Sequence, residues 1–303
     1  MPTIRPERRL TAVGCIIASA FGFALMGMFV RLADFHGEEI SAFQKGFFRN
    51  LVALGIALAL FARHGEPLRR LTASSWASLV LRALFGTLGI FANFYAISRI
   101  DLCDALMLNK MAPFFTVVFT WLFVGERVTL RQGLCIVGAL LGTALVVRPG
   151  FAHVALLPAS IGLSSGLCAG AAYACVRKLG REQVDGRFIV LFFSAFSCLA
   201  SVPFMIHRFT PMTLAQVAIL VGAGASAALG QFGITAAYRL AEPRQIAVFD
   251  YTNVIFGALL GCWVLGQPAP DALTMLGFAI IVAMGRWCSS PAASSSVARP
   301  RTQ

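Results

Sequence analysis

The sequence predicts an all-α polytopic membrane protein whose ten transmembrane helices form two inverted five-helix repeats. Three observations lead to this fold class. Hydrophobic residues make up 58% of the 303 residues and charged residues only 13%, whereas a soluble domain carries about 25% charged residues. The apolar runs are continuous over about 20 residues, which suits membrane-spanning helices and not the alternating strands of a β-barrel. The two halves of the chain also share short sequence matches.

The predicted helices can be placed in order along the chain. A basic tail, residues 1–10, comes first, and the following apolar run is too long for a signal peptide and is expected to be retained. Residues 289–303 are rich in Ser, Ala, Pro and Arg and are predicted to form a disordered tail. The predicted helices occupy residues 11–30, 43–62, 76–97, 104–124, 132–147, 156–176, 187–206, 214–237, 246–265 and 272–287.

The distribution of positive charge predicts the orientation of these helices. When the spans alternate in direction, most of the 25 Lys and Arg residues fall on one side, which the positive-inside rule assigns to the cytoplasm. Both termini are therefore expected in the cytoplasm, with the helices in a plasma membrane (the inner membrane of a bacterium). The net charge of +12 follows from these short loops. The lipid bilayer is the expected partner, and nucleic acid is not.

The remaining composition excludes several classes of site. None of the eight cysteines forms a Cys-x-x-Cys pair, so neither a metal site nor a disulfide framework is predicted. No phosphate loop, nucleophile elbow or His-Glu-x-x-His motif occurs. We therefore expect no cofactor and no catalytic residues. A membrane-embedded enzyme acting on a lipid-linked substrate is the distant alternative, and no acid–histidine cluster supports it.

Weak internal similarity relates the two halves. One and the same shift aligns Gly125 with Gly266, each closing an apolar helix, and Asn109 with Asp250. Because each half holds an odd number of helices, the halves enter the membrane in opposite directions, and secondary transporters commonly bind substrate between such repeats. The expected repeats are residues 11–150 and 151–288. A chance match between apolar sequences is the alternative.

Several motifs resemble a known family. The segment Ala112-Pro113-Phe114 leads to Gly125-Glu126-Arg127, and a glycine-rich helix follows from Gly133 to Val147. Phe47-Phe48-Arg49 and Leu81-Arg82-Ala83-Leu84-Phe85-Gly86 precede it. Together they resemble EamA-type members of the drug/metabolite transporter superfamily. The second half departs from that pattern, since Gly266-Gln267-Pro268 replaces Gly-Glu-Arg.

The resemblance carries expectations about architecture and activity. It implies ten helices around a central cavity lined by helices 1, 3, 4, 6, 8 and 9. It implies transport of small metabolites, amino acids and drug-like compounds among them, and often a homodimer. It does not identify the solute.

Asp250 is the first candidate site residue. It is the one acid of the chain placed well inside a predicted span, where a carboxylate is costly and therefore usually functional. It could carry a proton in coupled transport or face the ammonium group of a substrate. Alternatively, it is a structural carboxylate that holds two helices together. All four histidines are predicted to lie in loops, so no histidine relay is expected.

Lys110 and Asn109 form the second candidate. Pro113 removes the helical hydrogen bond to the carbonyl of Asn109, which creates a polar position beside Lys110. Helix geometry places Lys110 and Asp250 about 10–15 Å apart in depth, so a zwitterionic substrate could contact one or both. Snorkelling of Lys110 to the headgroups is the alternative.

Further polar residues inside the spans are predicted to line the cavity, and interhelical hydrogen bonding is their alternative role. Arg49 and Arg82 are expected to be architectural, by snorkelling or by capping carbonyls. Glycines on helix 5 could pack between protomers or within one. The predicted lining residues are Asn93, Tyr95, Tyr173, Gln231 and Asn253.

The sequence therefore predicts a secondary transporter of small polar metabolites that works by alternating access. Amino acids or related zwitterions are the expected substrates, and export is the expected direction. The alternative substrate is another solute, such as a nucleoside-type metabolite or a drug-like compound.

Overall fold

The computed structural model describes residues 6–34, 40–63, 71–97, 99, 108–147, 156–207, 209–266 and 269–289. These ranges hold ten apolar helices and no strand, which confirms the predicted fold class. The helices are α1 (Pro6–Asp34), α2 (Ala42–Arg63), α3 (Ala73–Ile97), α4 (Ala112–Val124), α5 (Leu130–Val147), α6 (Leu156–Arg181), α7 (Gly186–His207), α8 (Leu214–Leu240), α9 and α10 (Ala272–Ser289). Span α9 consists of Pro243–Ile246, a 3-10 helix Ala247–Tyr251 and Thr252–Leu265.

Several predicted boundaries are wrong. Helix α1 begins at Pro6, inside the predicted basic tail, and α6 continues to Arg181. His207 is the last residue of α7 rather than a loop residue. These helices extend past the apolar run because their polar ends reach beyond the hydrocarbon layer, where charged side chains are tolerated. The rest of the predicted N-terminal tail, residues 1–5, and residues 290–303 of the predicted C-terminal tail lie outside the described residues.

The packing of the helices has an internal two-fold pattern. Helix α1 packs on α8 as α6 packs on α3, and α4 packs on α6 as α9 packs on α1. Helix α2 packs on α8 as α7 packs on α3, while α2 pairs with α7 and α5 pairs with α10. Every one of these contacts has a counterpart five helices along. This is the arrangement expected when two inverted repeats pack face to face.

Glycines set the closest approaches between helices. A Cβ at Gly166 of α6 would lie 2.7 Å from the carbonyl oxygen of Leu108, so α6 contacts the chain just before α4 through backbone. Gly142 and Gly277 face each other across the α5–α10 contact, and Gly138 faces Met284. The glycine face of α5 is thus used within the protomer. The homodimer implied by the resemblance stays a prediction.

We expect Gly277→Ala to lower the thermal unfolding temperature in detergent. A Cβ there would meet the carbonyl oxygen of Gly142 at 2.7 Å and Val146 Cγ2 at 2.6 Å, and overpacking of this kind costs about 1–3 kcal/mol. Gly133→Ala on α5 is the matched control, because its Cβ would meet no atom within 4 Å and alanine favours a helix. Equal unfolding temperatures for the two variants would contradict the close approach of α5 and α10 at Gly142 and Gly277.

Two corresponding helices, α4 and α9, are interrupted. The helix predicted over 104–124 is interrupted in its described part: Leu108 and Asn109 are helical, but Lys110 and Met111 form a turn, with Met111 N donating to Leu108 O at 3.3 Å. Pro113 explains this interruption because it cannot donate the next helical bond. In α9 the Thr252 hydroxyl donates to Phe249 O at 2.7 Å, a bond that favours the tighter 3-10 geometry of Ala247–Tyr251.

One end of the helix bundle, here called the closed face, is sealed. It comprises the ends of the helices near residues 9, 75, 126, 177, 185 and 242. An apolar cluster fills it, with Ile16, Leu179, Ile234 and Tyr238 fully buried. Beside this cluster, Glu126 and Arg177 form a buried ion pair with an Arg177 Nε–Glu126 Oε1 distance of 2.6 Å. Burial raises the pKa of the Glu126 carboxyl, and the charge of Arg177 opposes that rise.

Candidate functional site

A central cavity of about 1580 Å³ lies between the two halves and opens at the opposite end of the bundle, here called the mouth. Exposed Arg31 and Arg99 and the residues Ile40, Phe209 and Leu265 surround the mouth. The cavity floor lies above the apolar cluster of the closed face. The protein is therefore open at one membrane face and sealed at the other.

The eight residues predicted from the sequence all lie on the wall of this one cavity. They come from α3, α4, α6, α8 and α9, and the fold brings them together from both halves of the chain. They are Asn93, Tyr95, Asn109, Lys110, Tyr173, Gln231, Asp250 and Asn253.

The two interrupted helices supply the charged pair. Lys110 lies in the turn before α4, and Asp250 lies in the 3-10 helix of α9. Both line the same cavity, yet the ion pairs within 4 Å in the described ranges do not include these two residues. The lysine and the aspartate thus share one cavity without direct contact, which leaves room for a ligand between or beside them.

Arg49 and Arg82 do not snorkel, which is one of the two ways in which they were predicted to be architectural. Arg82 is 2% exposed and Arg49 is 7% exposed, and both line the cavity. The Arg82 guanidinium donates to Gln231 Oε1 at 2.9 Å and lies 4.1 Å from the centre of the Phe193 ring. The side chains start from positions well inside α3 and α2 and turn inward onto the cavity wall.

The position of Arg82 depends on a glycine one turn further along α3. A Cβ at Gly86 would overlap Nη1 of Arg82 and would lie 2.8 Å from Phe193 Cε2. The guanidinium therefore lies along the helix surface over Gly86. The spacing of Arg82 and Gly86 in the sequence does not by itself distinguish this placement of the guanidinium from ordinary packing between helices.

Tyr173 lies on the same cavity wall as Asp250, Arg82 and Arg49. The lysine–aspartate pair and the arginine pair are thus parts of one site. Asn93 contributes a buried amide oxygen that accepts no hydrogen bond within the described chain.

Interhelical hydrogen bonds, the alternative role of the polar residues, are present for three of them. Asn109 Nδ2 donates to Ser165 Oγ at 3.1 Å, and Asn253 Nδ2 donates to Ala20 O at 2.8 Å. Gln231 accepts from Arg82. These residues both hold the wall together and present their remaining polar atoms to the cavity.

The cavity involves more helices than the resemblance implied. Helix α2 contributes Lys45 and Arg49, α7 contributes Phe193, and α5 contributes Val146 and Val147. The signal that could have found Arg49 was available, since a basic residue inside a span faces a cavity or a partner far more often than lipid.

Comparison with known proteins agrees with this geometry. The sequence model of the EamA-like transporter family matches residues 10–148. The chain is 30% identical over 267 residues to the pseudopaline exporter CntI of Pseudomonas aeruginosa. The aligned region covers 88% of this chain and 91% of that protein. It is 28% identical over 250 residues to a riboflavin transporter of Brucella anthropi, covering 78% and 84% respectively. A solved crystal structure shares the fold, with a TM-score of 0.73 over 90% of this chain and 96% of that one at 18% identity.

Proposed function

The chain belongs to the EamA-like transporter family and is a multi-pass membrane transporter rather than an enzyme, and from this premise we propose that it exports amino acids or related zwitterions by alternating access. The observation that carries the proposal is the pair of matched interruptions in α4 and α9. They place Lys110 and Asp250 on the wall of one cavity between the repeats. Interrupted helices at this position commonly form the substrate sites of secondary transporters.

The charges of the site suit both ends of a zwitterion. Asp250 is the group that faces a substrate ammonium, and Lys110, Arg49 and Arg82 can bind a carboxylate, guanidinium groups being especially suited to it. The other polar wall residues, Asn93, Tyr95, Asn109, Tyr173, Gln231 and Asn253, complete the proposed substrate site. We further propose that Asp250 carries the coupled proton, because it is the acid of the described cavity wall.

Export and orientation belong to the same proposal. The basic residues gather at the closed face, and the positive-inside rule then puts that face and both termini in the cytoplasm. The cavity described above is in that case the outward-open state. The similarity to an exporter supports the outward direction of transport.

The test is a flux assay in proteoliposomes with a panel of radiolabelled amino acids. We expect Asp250→Asn to reduce flux at least about tenfold, the loss that follows from removing a charge-assisted contact, and to abolish any dependence on a pH gradient. Asp271→Asn is the matched control, because Asp271 lies outside the cavity at the start of α10 and accepts from Thr274 N, a role that asparagine also fills. Unchanged flux and pH dependence in Asp250→Asn would refute the role of this residue.

A planar, drug-like or nucleoside-type solute is the second candidate. Phe23, Phe43, Phe91, Phe94 and Phe193 line the cavity, and aromatic faces stack on planar rings. The similarity to a riboflavin transporter favours the same class. Riboflavin flux in the same liposomes, with no amino-acid flux, would decide for this candidate.

A further inference from the structure

We infer that the cavity selects amine-containing substrates with two acidic groups over zwitterions with one. This inference rests on the proposed function and names the substrate class of the same site. It starts from an imbalance of charge on the cavity wall. Arg49, Arg82 and Lys110 face one acid, Asp250, among the described lining residues.

Among the described residues, the two arginines have no acidic partner. In the described part of the chain no carboxylate forms an ion pair with either guanidinium. The Nε atoms of both are buried and make no hydrogen bond there. Arg82 uses one donor on Gln231, and the guanidinium of Arg49 lies over the Phe23 ring, 5.9 Å from its centre. Most donors of this pair are therefore unused.

Unpaired buried charge is costly, and a ligand that neutralises it gains that energy on binding. A zwitterion of zero net charge leaves the excess positive charge of the wall unchanged. A substrate with one ammonium and two carboxylates brings one further negative charge to largely buried guanidinium groups, where charge interactions are stronger than in bulk water.

One small molecule can reach both groups of charges. Asp250, Arg49 and Arg82 line one and the same cavity, and Tyr173 lies on its wall with them. An ammonium at Asp250 and a second carboxylate at the arginines are thus compatible with a single ligand. Exposed Arg31 and Arg99 at the mouth add positive potential that favours entry of anions.

The experiment compares matched pairs of probes that differ by one negative charge. Equilibrium binding of glutamate against glutamine, and of aspartate against asparagine, is measured on the purified full-length protein in detergent. We expect each acid to bind at least about tenfold more tightly than its amide, as a charge-assisted pair implies. Arg82→Gln and Arg49→Gln should bring this ratio close to one, because they weaken the binding of the acid more than that of the amide. Arg286→Gln, an exposed position outside the cavity, should leave the ratio intact.

The possible outcomes separate this inference from the proposed function. Equal binding of acid and amide by the wild type, or failure of both acids to bind, would overturn the inference even if amino-acid flux is found. A ratio that survives in both arginine variants would also overturn it. A high ratio in the wild type together with unchanged flux in Asp250→Asn would support the inference and count against Asp250. If the glutamine variants do not fold, Arg82→Lys still tests the site, because it keeps the charge and should keep part of the preference.

Discussion

Replacing Glu126 by alanine is expected to lower the free energy of unfolding by about 3–5 kcal/mol, the usual cost of removing one partner of a buried ion pair. Glu126 is 7% exposed and Arg177 is 8% exposed, so the remaining guanidinium would stay buried with its acid partner gone. Arg177 would keep one weak contact, from Nη1 to Tyr238 O at 3.5 Å. The measurement is chemical unfolding in mixed micelles at neutral pH.

The reverse variant, Arg177→Met, separates the effect of charge from that of packing. Burial already raises the pKa of the Glu126 carboxyl, and Arg177 opposes that rise, so removing the arginine should raise the pKa further. When a carboxyl has a higher pKa in the folded than in the unfolded state, the free energy of unfolding falls as the pH increases from the unfolded-state pKa to the folded-state pKa. The destabilisation by Arg177→Met should therefore shrink towards acidic pH, whereas that of Glu126→Ala should not.

The double variant Glu126→Leu with Arg177→Met is the control for this pair. Replacing both charges with apolar residues of similar size is often neutral or stabilising. We expect the double variant to be more stable than either single variant. If Glu126→Ala unfolds like the wild type, or if Arg177→Met shows the same loss at every pH, the ion pair does not hold the closed face together.

Gly86→Ala is expected to reduce substrate flux about tenfold or more and to destabilise the protein modestly, because the new Cβ would also lie 2.8 Å from Cε2 of the buried Phe193 ring. The added methyl group would overlap Nη1 of Arg82 and move the guanidinium away from Gln231, with the loss of a charge-assisted hydrogen bond. Alanine is a better helix former than glycine by about 1 kcal/mol, so α3 itself should remain stable. Flux in proteoliposomes and thermal unfolding together check both parts of the prediction.

Gly27→Ala is the matched control for Gly86→Ala. Gly27 also lies in a membrane-spanning helix and lines the cavity, and a Cβ there meets no atom within 4 Å. Its flux should stay near that of the wild type. Equal flux in the two alanine variants would mean that the position of the Arg82 guanidinium is not required for transport.

Arg49 and Arg82 show which property of the site the sequence alone could not predict. Asp250 and Lys110 could be identified because a lone charge in an apolar run has few explanations. Arg49 and Arg82 had the same signal, but their long side chains permit snorkelling, and sequence contains no measure of how deep a side chain lies or which way it turns. Packing decided the direction, since Gly86 leaves space for the guanidinium on the cavity side of α3.

The interruption of α9 is a second case. Pro113 predicts a break at the start of α4 because proline has no backbone N–H group to donate a helical hydrogen bond. Ala247–Tyr251 contains no proline, and its 3-10 geometry depends on contacts with neighbouring helices. In the apolar cluster beside it, Ala247, Val248 and Tyr251 are buried against Cys135 and Ile281. The Thr252 hydroxyl bond favours the tighter winding, but threonine bonds of this kind also occur in regular helices, so the local sequence does not specify it.

The sequence by itself determined that this is a ten-helix membrane protein with two related halves. Hydrophobic length, the placement of positive charge and the repeat are properties of the chain alone, because transfer into a bilayer depends mainly on composition along each segment. Only the tertiary structure decided that the polar residues of both halves meet in one cavity, that this cavity is open at one face, and that its wall carries excess positive charge. Those properties depend on distances between helices that are far apart in the chain, so no local stretch of sequence determines them.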